Sequence, residues 1–133
     1  MNFKNTISLI TIIFLCFTFG SCKKSKEGKI TRTWEKIDVT TQTPVFVEYW
    51  KFESDGTVIL YNYSPGGSIL EVDRGTWHIR QKIDKAFVAL EFAGHGQYNK
   101  EWRIHKLTKK IMIIILIESG QTTMEFQTAS IEI

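Results

Sequence analysis

The sequence predicts an all-β domain, an antiparallel barrel or sandwich of short strands, behind an N-terminal export segment. Three observations predict it. Turn chemistry recurs about every ten residues from Ile30 onward. The runs between the turns are rich in Val, Ile, Thr, Tyr, Phe and Trp, and several alternate apolar with polar residues. No amphipathic helix of ten residues stands out. The length of 133 residues suits one domain, and 43% hydrophobic with 13% aromatic content excludes wholesale disorder. Seventeen basic residues against 14 acidic ones give no strong basic field, which argues against nucleic acid as a partner.

Met1 to Asn5 carries one charge, Lys4, and residues 7–19 (ISLITIIFLCFTF) are uncharged and mostly apolar. As a helix this stretch spans about 20 Å, short of the ~30 Å hydrocarbon core. Gly20, Ser21 and then Cys22 follow. A charged start, a short apolar run and a small-residue end make a secretory signal peptide. The end Phe19-Gly20-Ser21-Cys22 resembles the lipobox of bacterial lipoproteins, with Phe19 where Leu is usual. That resemblance implies cleavage before Cys22 and its acylation, an anchor of several chains. The alternative is an ordinary signal with an incidental cysteine. The resulting plan is a signal peptide over 1–21, a lipidated tether over 22–29 and a β domain over 30–133. Cys16 leaves with the signal and no cysteine follows Cys22, so the mature body forms no internal disulfide. Lys23 stands where an Asp commonly retains such lipoproteins in the inner membrane, which implies delivery to the outer membrane. Lys23, Lys24 and Lys26 read as part of a solvated tether, with contact to anionic headgroups as the other reading.

Within the body, Glu27 to Val39 reads as the first strand, on the strength of Thr31, Thr33 and Val39. In Phe46 to Phe52, one face carries Phe46, Trp50 and Phe52. Glu48 falls on that face and needs a Lys or Arg partner, or a bulge that turns it outward. In Gly75 to Arg80, Trp77 and Ile79 face inward while Thr76, His78 and Arg80 face out. Ala86, Val88, Leu90 and Phe92 share a face, as do Tyr98, Trp102 and Ile104. Ile111 to Ile117 does not alternate and reads as a strand covered on both sides, since such a segment aggregates when exposed.

Four motifs occur in order between Gly28 and Phe126. They are Thr33-Trp34, Phe52-x-x-Asp55-Gly56-Thr57, Gly75-Thr76-Trp77 and Ile104-x-x-Leu107-Thr108. The set resembles the lipocalin-like domains of small bacterial lipoproteins, a family largely without assigned function. Arg32 departs from it, standing where a glycine is usual. The resemblance implies an up-and-down β-barrel of about eight strands, open as a cup at one end. Trp34 and Trp77 then read as plugs of the closed end. Gly75 lets its strand curve so that the Trp77 indole packs beneath the barrel floor.

No catalytic site emerges. Gly-x-Ser-x-Gly is absent and the mature chain has no cysteine nucleophile. His78 and His105 should point outward and His95 lies in a glycine-flanked loop, so neither a metal nor another cofactor is expected. Glu71 and Asp73 beside Arg74 read as exposed ladder charges. Arg103, His105, Lys106, Lys109 and Lys110 read as a solvated edge. Two functions remain, neither enzymatic. In one, Phe46, Trp50, Phe52, Phe92 and Trp102 line a cup that holds a small apolar or amphipathic ligand. In the other, the barrel is filled and an exposed surface, with Ile111–Ile117 or Tyr61 and Tyr63, docks a protein partner. In both, Cys22 ties the chain to a membrane.

Overall fold

Eight strands follow one another with short connections, and each pairs antiparallel with its neighbour. A computed structural model describes residues 21–38, 46–118 and 120–133; the export segment through residue 20 and the expected strand end at Val39 lie outside them. The strands are β1 (Thr33–Ile37), β2 (Val47–Phe52), β3 (Thr57–Tyr63), β4 (Ile69–Gln81), β5 (Ala86–Phe92), β6 (Glu101–Leu107), β7 (Ile111–Ile117) and β8 (Gln121–Thr128). β8 returns to pair with β1, Trp34 opposite Thr128, and the sheet closes into an up-and-down barrel. Closure leaves no lone edge strand to recruit another chain.

Residues 21–30 form a helix, α1, so the expected first strand is shorter and starts only at Thr33. The physical reason is local. Lys23, Lys24, Lys26 and Glu27 are good helix formers, whereas the β-branched residues that suggest a strand begin only at Thr31. Thr31 ends the helix by donating both its N–H and its hydroxyl to the Glu27 carbonyl, at 3.1 and 2.7 Å. The stretch read as a tether, 22–29, is therefore helical, and the last residue of α1, Ile30, is buried in the core.

α1 lies at the end of the barrel that holds the β2–β3, β4–β5 and β6–β7 turns. Trp34 is fully buried there and donates its indole N–H to the Ile30 carbonyl at 2.9 Å. Trp77 is buried at the same end, with its N–H on the Glu53 carbonyl at 2.9 Å. Both tryptophans thus tie the core to the backbone of the closed end. Arg32, the departure from the family pattern, reaches across this end to the Lys109 carbonyl at 2.6 Å.

Two glycines are required by geometry. Gly56 has φ +91° in the β2–β3 turn, where Asp55 accepts the Thr57 N–H at 2.8 Å. Gly75 brings β4 so close to β5 that a Cβ would meet the Glu91 carbonyl oxygen at 2.1 Å. Pairing shifts at Leu60/Tyr61 leave Val72 as an extra residue in β4, and a second shift in β6 makes His105 extra. The second bulge explains why Ile104 and Leu107 both reach the core although they are three residues apart.

The isoleucine-rich β7 lies between β6 and β8. Met112 and Ile114 fill the interior, and Ile115 on the outer side is also buried. Its ends are not covered: Ile111 and Ile117 are exposed, so the expectation of two covered faces holds only for the middle of the strand. Tyr61 and Tyr63 are half-buried and are not the exposed aromatics expected.

Trp77→Ala removes a buried indole and should cost ~3–5 kcal/mol, from a total of roughly 5–15 kcal/mol for such a domain. Trp50→Ala should cost as much, because Trp50 is 0% exposed. Denaturant midpoints of the two variants check this. A much smaller loss at Trp50 would show that it faces an open cup.

Candidate functional site

The interior aromatics come together as a solid centre. Trp50, Phe52, Phe92 and Trp102, four of the five expected ligand-lining residues, belong to one buried cluster. The Trp50 ring meets Phe92, Tyr98 and Phe126 edge-on at 5.3, 4.9 and 5.2 Å between centroids. A side chain bordering a void large enough for water presents surface to it, and Trp50 and Phe126 present none. The fifth residue, Phe46, precedes β2 and stands at the rim, 46% exposed.

The mouth lies opposite α1, where the β3–β4, β5–β6 and β7–β8 connections gather. A chain of polar groups crosses it above Trp50. Glu48 accepts the Trp50 indole N–H at 2.5 Å and lies 3.3 Å from the Lys36 ammonium. Lys36 also donates to the Tyr98 hydroxyl at 3.1 Å and lies over its ring. Tyr98 stacks on His95, whose Nδ1 is 2.7 Å from Asp73. Glu48 is therefore not turned out by a bulge; it keeps its inward position and finds a lysine partner.

Local structure explains how the β5–β6 connection delivers Tyr98. Beyond Leu90, the side chain of Asn99 takes the place of a pairing strand. Its amide oxygen accepts the Phe92 N–H at 2.6 Å and its NH2 donates to the Phe92 carbonyl at 2.9 Å. A single 3₁₀ turn, Gly96–Tyr98, then sets the phenol against Trp50 and Phe92. Tyr98 is thus not the start of β6, as its alternation with Trp102 suggested, but a cap over the core.

Asp73 is the second departure. Instead of an exposed ladder charge it is a carboxylate only 7% exposed, accepting N–H bonds from Arg74 at 2.8 Å and Gly94 at 2.9 Å. Burial pushes its pKa up, but the His95 N–H and these backbone donors outweigh burial and hold it below the ordinary aspartate value. Burial likewise opposes the Lys36 charge, yet Glu48 and the Tyr98 hydroxyl raise its pKa above the usual lysine value. Alternation places Lys36 on the Trp34 face and was a usable sign of an inward lysine. The Asp73–His95 pair had no comparable sign, because the bulge at Val72 and the loop around His95 both break the period.

β1 and β2 pair only as far as Glu35 opposite Tyr49. Beyond that point a groove of about 290 Å³ opens, with Lys36 and Glu48 in its wall beside Ile37, Val47 and Phe46. Exposed Leu70 and Ile117 stand on other strands of the same end. Cys22 is exposed on α1, at the far end. His78 and His105 are exposed on the barrel wall. Among the described residues, no three His, Cys, Asp or Glu side chains converge as a metal site would need. No described helix is long and apolar enough to cross a membrane.

The Asp73 carboxylate gives a pH dependence of known sign. Its folded pKa lies below the unfolded value of about 3.9, so its contribution is complete above that pH and fades as pH falls through the folded pKa. Asp73→Asn should cost on the order of 1–3 kcal/mol at neutral pH through its unmatched donors. The gap between variant and wild type in urea melts should shrink below about pH 4; a gap that grows there would refute the assignment.

Compared with known proteins, the chain matches no family model, no curated protein and no solved structure.

Proposed function

We propose that this chain is a non-enzymatic envelope lipoprotein, held in the outer membrane by an acylated Cys22, that docks a protein partner at the mouth of a filled barrel. The observation that carries the docking reading is the interior itself. Trp50, Phe52, Phe92 and Trp102 pack against neighbours instead of around a space, which leaves the surface to do the work. The mouth has what recognition needs. Phe46, Leu70 and Ile117 offer exposed apolar area, and the groove between β1 and β2 is large enough for one side chain. The polar chain from Glu48 to Asp73 fixes Tyr98 and His95, so this end is preorganised and little ordering entropy is lost on binding.

Anchoring rests on the lipobox-like run ending at Cys22 and on Lys23 after it. The exposed position of Cys22, at the end opposite the mouth, fits an anchor that leaves the mouth free.

One observation favours a second reading, a small amphipathic ligand in the mouth groove. At about 290 Å³ the groove sits at the lower limit of small-molecule sites, and it sets the Phe46 ring beside both charges of the Lys36–Glu48 pair.

Two experiments test these readings. Cys22→Ser should abolish metabolic acyl labelling and move the protein to soluble fractions; a mutant that still labels overturns the anchor. A photo-crosslinking residue at Phe46 should give one discrete protein adduct in intact cells, and the same residue at His78 on the barrel wall should give none. Native mass spectrometry of the membrane-extracted protein showing a bound small molecule, with no adduct at position 46, would favour the ligand reading.

A further inference from the structure

The two ends of the barrel treat their lysines and arginines differently. At the mouth, Arg74 and Lys100 are matched by Glu71 at 2.9 Å and Glu118 at 2.7 Å. At the closed end Lys23 and Lys85 are matched by Glu27 and Asp84 at 3.8 and 3.9 Å. But α1 also brings Lys24 and Lys29, the β4–β5 turn Lys82, which lies over the Phe87 ring, and the β6–β7 turn Lys109 and Lys110. None of these five has an ion-pair partner among the described residues. Placing like charges together without partners costs stability, and a surface that keeps them is suited to an anionic one. Between them, at the tip of the β4–β5 turn, Ile83 is 87% exposed. It shares a surface depression with Cys22, Lys26, Arg103 and the Asp84–Lys85 pair, in which basic residues outnumber the one acid.

We propose that the closed end is a membrane-binding face, on which the unpaired lysines engage anionic headgroups while Ile83 enters the interface. Three separate parts of the chain meet here: α1, which the tether reading left unstructured, and two turns that only barrel closure brings beside it. A lysine near an anionic surface contributes about 1 kcal/mol, so several act together as a patch. One apolar side chain adds burial that salt does not screen. The proposal deepens the anchored reading of Cys22, since lipid chains on Cys22 would hold this same end down. The charge and the apolar tip stand without acylation, so the two can fail separately.

The test uses the chain from residue 22 onward, which contains α1, the whole barrel and its core, with Cys22→Ser to remove any acyl chain. The probes are sedimented vesicles of phosphatidylcholine alone or with phosphatidylglycerol. Binding should need the anionic lipid and weaken as salt rises. Lys82→Gln and Lys109→Gln should each lower the partition constant about fivefold. Ile83→Ser should lower it with no change in salt slope. Lys100→Gln, at the mouth, should leave it unchanged. All are exposed positions, and an unaltered melting curve confirms each fold. Equal binding to neutral vesicles, or an equal loss from Lys100→Gln, would overturn the proposal. So would binding to a soluble polyanion such as heparin without binding to anionic vesicles. Acyl labelling of wild-type protein in cells reports on Cys22 independently.

Discussion

The Trp50 indole packs edge-on against Phe92, Tyr98 and Phe126 and at a shallow angle against Phe52, and Glu48 takes up its N–H. An eight-stranded barrel has an interior just wide enough to be filled by side chains or to hold one small ligand. One indole at the centre decides between those outcomes. The rings around it leave it no accessible surface. It also dictates what lies above. An indole N–H pointing toward the mouth requires an acceptor, a carboxylate there requires a cation, and the Lys36 ammonium is completed by the Tyr98 hydroxyl. The polar layer at the mouth is thus a consequence of packing a donor-bearing ring beneath it.

The barrel was largely legible in the sequence because its evidence is local. Period-two alternation in β4 and β5 assigned Trp77, Ile79, Val88 and Leu90 to the inside, and the structure buries all four. Ser54-Asp55-Gly56 falls between β2 and β3. The placement of Trp34 and Trp77 at one end comes from the ordered motifs that carry the resemblance and not from periodicity. The misreadings share a cause as well. Thr31, Thr33 and Val39 argue for a strand and hide the helix-forming run just before them, and Thr31 is the residue that stops the helix.

The candidate site was far less legible, because its contacts join residues distant in the chain. Lys36 and Tyr98 are 62 positions apart, and Asp73 and His95 are 22 apart. Nothing in either neighbourhood names its partner. Bulges compound the difficulty: one extra residue at Val72 or His105 inverts the inside–outside assignment for the remainder of its strand. Sequence periodicity therefore located the ordinary positions of this barrel and failed at its irregular ones.

Closure of the sheet has a consequence for how the chain reaches this structure. The β1–β8 seam joins residues as far apart as Trp34 and Thr128, separated by 94 positions, whereas most other pairings are made by hairpins with short turns. The hairpins are local and fast to form, but the seam pays the full loop-closure entropy of the domain. Until it closes, β8 has one unsatisfied side and the isoleucine-rich β7 is a single strand away from an open edge. While that seam is open the chain presents pairing edges to another copy, and the strand that closes it, β1, also carries the buried Trp34 plug.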